Sequence, residues 1–234
     1  MDAARRRRRV TGEEELRSDR PCVYMVNHQS SLDMLCAGGW VPRRTVVIAK
    51  RSLRLVPFMG QFLTLADTIF LNRRNHESAM YSMERAGERL SKRRLSVIIF
   101  PEGTRSRSDG ELLPFKKGGF NLAVAAQVPI VPVVMAQQKP IYDPARHRFL
   151  PGTIAVKGPA DRGCDAFARA CARVCVAADP LICSRRLVWV PCAVLPPVPT
   201  TGLTREDVPE LADRVRDMMA AELRSLVAVP SGKF

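Results

Sequence analysis

Two short apolar runs, residues 22–26 and 95–100, each break off at a dense cluster of polar residues. Runs of that length read as buried strands. In open α/β sheets, chemistry is placed just beyond the carboxyl ends of such strands. The first run leads into Asn27, His28, Gln29, Ser30, Ser31, Leu32 and Asp33, and the second into Pro101, Glu102, Gly103, Thr104 and Arg105. A chain built on these two junctions is confined to a small set of layered folds, and the rest of the sequence narrows the set further.

Further strands are expected over 45–49, 68–71, 130–134 and 152–156, with Pro132 interrupting the third of these. Between them, Ala79, Met83, Ala86 and Leu90 recur at helical spacing, with Glu77, Glu84, Arg85 and Arg89 turned outward. A second helix is expected over 118–126. A third follows Thr204, with Val208, Leu211, Val215, Met218 and Leu226 on one apolar stripe. Strands alternating with helices predict a single α/β domain whose mixed or mostly parallel sheet is flanked by helices.

The 37 Lys and Arg outnumber 23 Asp and Glu, for a formal charge of +14. Such an excess points to an anionic partner, whether phosphate-bearing lipid, membrane surface or nucleic acid. Nucleic acid is disfavoured because the aromatic residues are not interleaved with the basic knots as stacking platforms would be. One knot comprises Arg43, Arg44, Lys50, Arg51 and Arg54 with no acid among them, and another Arg89, Lys92, Arg93 and Arg94. The arginine run 5–9 is nearly balanced by nearby acids and reads as a solvated, disordered end. The most apolar continuous run, 55–66, carries Pro57, Gly60 and Gln61 and is too short to span a bilayer. It suits a core or interfacial segment. No signal peptide is expected, and the cysteines form no secreted disulfide framework, so a reducing compartment is expected.

Histidine as a residue type can act as a base near neutral pH, so His28 can take a proton from a hydroxyl once its tautomer is fixed. Asp33, five residues on, is the candidate to fix it. A plainer role competes: Ser30 and Asp33 have capping-box spacing, so Asp33 could simply start a helix. In the second cluster, Gly103 lets backbone N–H groups approach a ligand closely, and Arg105 offers a two-pronged fork to a phosphate. Lys116 and Lys117 add two cations before the next helix. His76 and His147 are expected on surface or loop. No metal-ligand spacing is present, so no metal is expected.

With these pieces in this order, the sequence resembles the glycerolipid acyltransferases. Within them it is most similar to the 1-acyl-sn-glycerol-3-phosphate (lysophosphatidic acid) acyltransferases. Their Asn-His-x-x-x-x-Asp motif is met at 27–33, Phe-x-Asn-Arg at 70–73, Phe-Pro-Glu-Gly-Thr-Arg at 100–105 and Val-Pro-Ile-Val-Pro-Val at 128–133. The resemblance implies transfer of a fatty acyl group from acyl-CoA to the sn-2 hydroxyl of lysophosphatidic acid, giving phosphatidic acid. His28 would be the general base and Asp33 its partner. Arg73 and Arg105 would meet the substrate phosphate, with Lys116 and Lys117 as secondary candidates. Glu102 and Gly103 would line the glycerol site, and Thr104 would be among the substrate-binding residues. Acyl-CoA would be a co-substrate and no cofactor would be needed. The resemblance also implies an endoplasmic-reticulum membrane setting. Two alternatives accompany it: another lysophospholipid as acceptor, or an impaired, shortened variant that only binds acidic membrane.

The likeness runs from about residue 10 to 158 and resumes at 194. This divides the chain into a basic end (1–20), a core with all four motifs (21–157), an atypical cysteine-rich insertion (158–193) and a final strand, Pro-rich turn and helix (194–234). Reading 152–157 straight into 194–196 restores one alternating strand, the pattern a retained intron would leave. Family members of the reticulum carry apolar spans before the first motif. This chain begins almost on it and is expected to be a shortened form held to membrane by surface contacts.

Overall fold

The computed structural model describes residues 20–30, 32–33, 37, 41–42, 44–72, 76–106, 111–138, 142–143, 148–149, 153–155, 187–189 and 192–226. Its frame is a 6-stranded sheet. In chain order the strands are β1 (Val23–Val26), β2 (Thr45–Lys50), β3 (Ile69–Leu71), β4 (Ser96–Ile99) and β5 (Ile130–Met135). Three short pieces, β6 (Tyr142–Asp143), β7 (Arg148–Phe149) and β8 (Thr153–Ala155), come next, followed by β9 (Leu187–Trp189) and β10 (Cys192–Val194). The helices are α1 (Met59–Leu65), α2 (His76–Arg93), α3 (Gly118–Ala126) and α4 (Val208–Ser225).

The sheet order is β10-β5-β1-β4-β2-β3, with every neighbouring pair parallel except β10 against β5. This is the mostly parallel sheet that alternating strands and helices imply. β1 lies inside it, between β5 and β4, and all four of its residues are buried. Side-chain alternation sends Val23 and Met25 to one face, where Leu90, Phe120, Leu211 and Val215 from α2, α3 and α4 complete the larger core. Tyr24 and Val26 point to the other face with Ile98, Val133 and Ala37. Thr204 starts the last helical segment with the expected capping box, its partner being Asp207. The stripe on α4 is turned slightly from expectation. Met219 and Leu223 are buried, while Met218 and Leu226 are only partly covered.

Pro132 does not interrupt β5. Its carbonyl accepts from Leu195 N at 2.9 Å, so its N, on the same side of the strand, also faces β10. The missing donor is thus directed at the outermost strand, where a ladder bond is cheapest to forgo. With the segment 158–193 in place, 152–157 and 194–196 do not make one strand. β8 pairs in parallel with β9 in a separate small sheet, and β10 begins at Cys192, within the span assigned to the insertion. Most of 158–193, like the basic end 1–19, lies outside the described residues.

Candidate active site

Because β1, β4 and β5 run parallel, their carboxyl ends share one edge of the sheet, and both motif loops emerge there. Asn27, fully buried, donates from Nδ2 to the Met135 carbonyl at 2.9 Å and accepts from Met135 N at 2.8 Å. It continues the β1–β5 ladder through a side chain and fixes where the next residue begins. Gln29 adds a second tie to the same strand end, its Nε2 donating to the Met135 carbonyl at 2.7 Å.

His28 follows, partly open, with Nδ1 at 2.6 Å from Asp33 Oδ2. The same Asp33 oxygen accepts from Gln29 N at 2.7 Å and Ser30 N at 3.0 Å. Asp33 therefore does both things its spacing allowed. It closes the first helical turn and it holds the imidazole. Its other oxygen accepts from Gln138 Nε2 at 2.7 Å, and Gln138 in turn accepts from the Ser30 hydroxyl. With Asp33 fully buried, the carboxylate is held by four donors and cannot swing away. Taking Nδ1 as the proton-bearing nitrogen opposite a carboxylate leaves Nε2 as the acceptor on the open side of the ring. Phe100 stacks on that ring, with centroids 4.2 Å apart.

The second loop grips the first. Glu102 Oε1 accepts from His28 N at 2.8 Å, and Oε2 accepts from Leu113 N at 3.0 Å. Ser106 N donates to the His28 carbonyl at 2.7 Å. Glu102 was expected to line the glycerol site, yet it is only 2 % exposed and both of its oxygens are turned to backbone donors. In this structure it positions the histidine loop. Burial pushes its carboxyl above the ordinary value, against the pull of the two backbone donors.

Gly103 has φ +69°, and a Cβ there would lie 2.8 Å from Lys116 Cδ and 3.1 Å from Lys116 Nζ. The glycine permits both the turn and the passage of the lysine across it. Lys116 N also donates to the Pro101 carbonyl at 2.8 Å. Thr104, Arg105 and Lys116 are exposed around this turn, and the two cations make a basic rim on the loop that grips the His28 backbone. Of the expected phosphate contacts, Arg73 lies outside the described residues. Of the two histidines expected on surface or loop, His147 also lies outside them and His76 opens α2. Among the described residues no group of three or more His, Cys, Asp or Glu could hold a metal ion.

Gln138, Asn27 and Phe100 carry this geometry without having been singled out for it. For Asn27 a signal existed, since it opens the first motif. Gln138 had none, because its role depends on the register of β5 against β1.

A histidine with a carboxylate partner and a cationic rim at one sheet edge is an arrangement chemically able to take a proton from a hydroxyl beside an anionic group. The model of the family described as Acyltransferase matches residues 7–136, more than half of the chain. A human 1-acyl-sn-glycerol-3-phosphate acyltransferase alpha is 37 % identical over 217 residues, covering 93 % of this chain and 64 % of its own length. A putative 1-acyl-sn-glycerol-3-phosphate acyltransferase of Caenorhabditis elegans is 35 % identical over 218 residues, again covering 93 % and 64 %. The chain thus spans less than two thirds of the length of these relatives. Among solved structures, the 1-acyl-sn-glycerophosphate (LPA) acyltransferase of Thermotoga maritima superposes with a TM-score of 0.61 at 25 % identity, covering 94 % of this chain and 72 % of that one. With its sheet, its paired motif loops and this match, the chain belongs to the acyltransferase family.

Proposed function

We propose that this chain transfers a fatty acyl group from acyl-CoA to the sn-2 hydroxyl of lysophosphatidic acid, giving phosphatidic acid at the surface of the endoplasmic-reticulum membrane. The observation that carries the reading is the 2.6 Å contact between His28 Nδ1 and a fully buried Asp33 carboxylate. Asp33 holds the ring with Nε2 directed outward and stabilises the imidazolium that forms. As His28 Nε2 takes the hydroxyl proton, the substrate oxygen attacks the thioester carbonyl. The C–S bond breaks and CoA leaves as the thiol once it regains a proton. Arg105 and Lys116 meet the phosphate of the acceptor, which sets its hydroxyl beside His28. The relatives' names supply the acceptor class, and the cationic rim is what it would need here.

A placed base contributes ~10²–10⁴ in rate, so His28→Ala should lose activity by about that factor while remaining folded. The test follows CoA release from acyl-CoA with lysophosphatidic acid as acceptor, alongside circular dichroism of the variant. Turnover within a few-fold of wild type in a folded variant would end the general-base reading.

A further inference from the structure

The run 55–66 has not gone into the core. Between β2 and β3 the chain forms a 3₁₀ turn (Arg51–Leu55) followed by α1, and of these residues only Gly60 and Leu63 are buried. Leu55, Phe58 and Leu65 are 86 %, 88 % and 87 % exposed, and Met59 and Phe62 are more than half or about half open beside them. Large apolar side chains gathered so densely on a surface mark a site of contact. The segment is nonetheless built, not loose. Gly60 N donates to the Val56 carbonyl at 2.7 Å, and a Cβ on Gly60 would fall 2.0 Å from the Arg54 carbonyl oxygen. The two arms of the projection therefore touch backbone to backbone. Phe58, at its turn, sits at φ +60° and ψ −48°, a positive-φ conformation that a bulky residue adopts only when the surroundings impose it.

Charge identifies what meets this surface. Lys50, Arg51 and Arg54 are exposed at the base of the projection, and the sequence holds no Asp or Glu from 34 to 66. These three cations have no ion-pair partner among the described residues, whereas Arg89 and Arg93 in the other basic knot are paired with Asp67. An apolar tip above a ring of unopposed cations matches an anionic lipid surface, with acyl chains below and headgroup phosphates above. Position agrees. β2 is parallel to β4 and β4 to β1, so the projection leaves the sheet at the edge where His28 lies.

We propose that residues 50–65 dock the protein on anionic bilayers, inserting Leu55, Phe58 and Phe62 among the acyl chains while Arg51 and Arg54 engage headgroups. The active-site edge then faces the membrane. This docking does not depend on the acyl-transfer reading, and its assay requires no turnover, so a catalytically silent chain would still report it.

The test is flotation of the full chain with vesicles of phosphatidylcholine alone and of phosphatidylcholine mixed with phosphatidylserine, using two variants. Leu55→Ser/Phe58→Ser/Phe62→Ser changes only exposed side chains and should lower partitioning on both vesicle types by roughly a hundredfold or more. Arg51→Gln/Arg54→Gln should lower it by about tenfold or more on the mixed vesicles alone. Circular dichroism checks that both variants are folded. Unchanged flotation of the triple variant would overturn the proposal. So would a triple variant that turns a wild-type dimer into a monomer while binding vesicles as before, since a second copy would then be the occupant.

Discussion

Glu102→Gln separates a residue that touches substrate from one that places the base. The carboxylate accepts two backbone N–H groups, one from each of the segments it joins. Glutamine has one oxygen to offer, so either His28 N or Leu113 N must face an NH₂ group. A buried donor left without an acceptor costs ~1–3 kcal/mol. At ~2–4 °C per kcal/mol for a chain of this size, the melting temperature should fall by roughly 2–12 °C. If His28 N is the one left unmatched, the imidazole shifts relative to the acceptor hydroxyl, and a misplacement near 1 Å can cost ~10²-fold in rate. The expected result is therefore a loss of kcat and of stability, with KM for lysophosphatidic acid nearly unchanged.

Acidity gives a second handle on the same variant. Burial holds the Glu102 carboxyl above its ordinary value of 4.5. A group with a raised folded pKa contributes stability that is complete below the unfolded value and is lost as pH rises through the folded one. The wild type should thus gain on the glutamine variant as pH falls from neutrality toward 4.5, and the gap in melting temperature should widen. Differential scanning fluorimetry over that range and initial-rate kinetics at neutral pH suffice. A variant with wild-type stability and a strongly raised KM for the acceptor would refute the reasoning and return Glu102 to the glycerol site.

Gln138→Leu removes a donor to Asp33 from a side chain only 1 % exposed, and kcat should fall by roughly 10–150-fold, the equivalent of one hydrogen bond to a charged group at ~1.5–3 kcal/mol. The pH–rate profile reads whether His28 has lost its partner, and an unaltered profile with unaltered kcat would show that Gln138 only fills space. Arg105→Ala should raise KM for lysophosphatidic acid by about 10–150-fold, from loss of a charge-assisted phosphate contact of ~1.5–3 kcal/mol. KM for acyl-CoA should hardly move, and equal effects on both substrates would mark a structural arginine. Removing residues 157–192 leaves Val156 in the place of Cys192 and keeps Ala193 and Val194 paired to β5. That chain should retain activity and melt higher, while failure to fold would show the removed segment to be part of the domain.

The sequence patterns captured much of this fold because burial imposes local signatures. β1, β2, β4, α2 and α3 fall where apolar runs or helical spacing place them, and α3 agrees to the residue. Pro132 was misread because a missing N–H matters only on the side it faces, and that side follows from β10, sixty residues away in an otherwise weak stretch. The His28–Asp33 pair was legible because its partners are five residues apart on one turn. Gln138 was not, since its contact with Asp33 spans 105 positions and rests on strand register. Glu102 illustrates a different limit. A sequence can say that a carboxylate belongs to a motif, but not which way it points.

The location of β1 inside a parallel sheet also bears on how the protein is made. His28 is tied to Glu102 across 74 positions, and Asn27 to Met135 across 108. Neither tie can form while the chain is short, and parallel pairings over such distances close late. A nascent chain that has emitted only its first hundred residues exposes the apolar β1 with no neighbour on the β5 side. Refolding should accordingly recover helix signal first and acyl-transfer activity last, in step with β5 docking on β1. Inside the cell, the interval before that docking is when a chaperone would find its target.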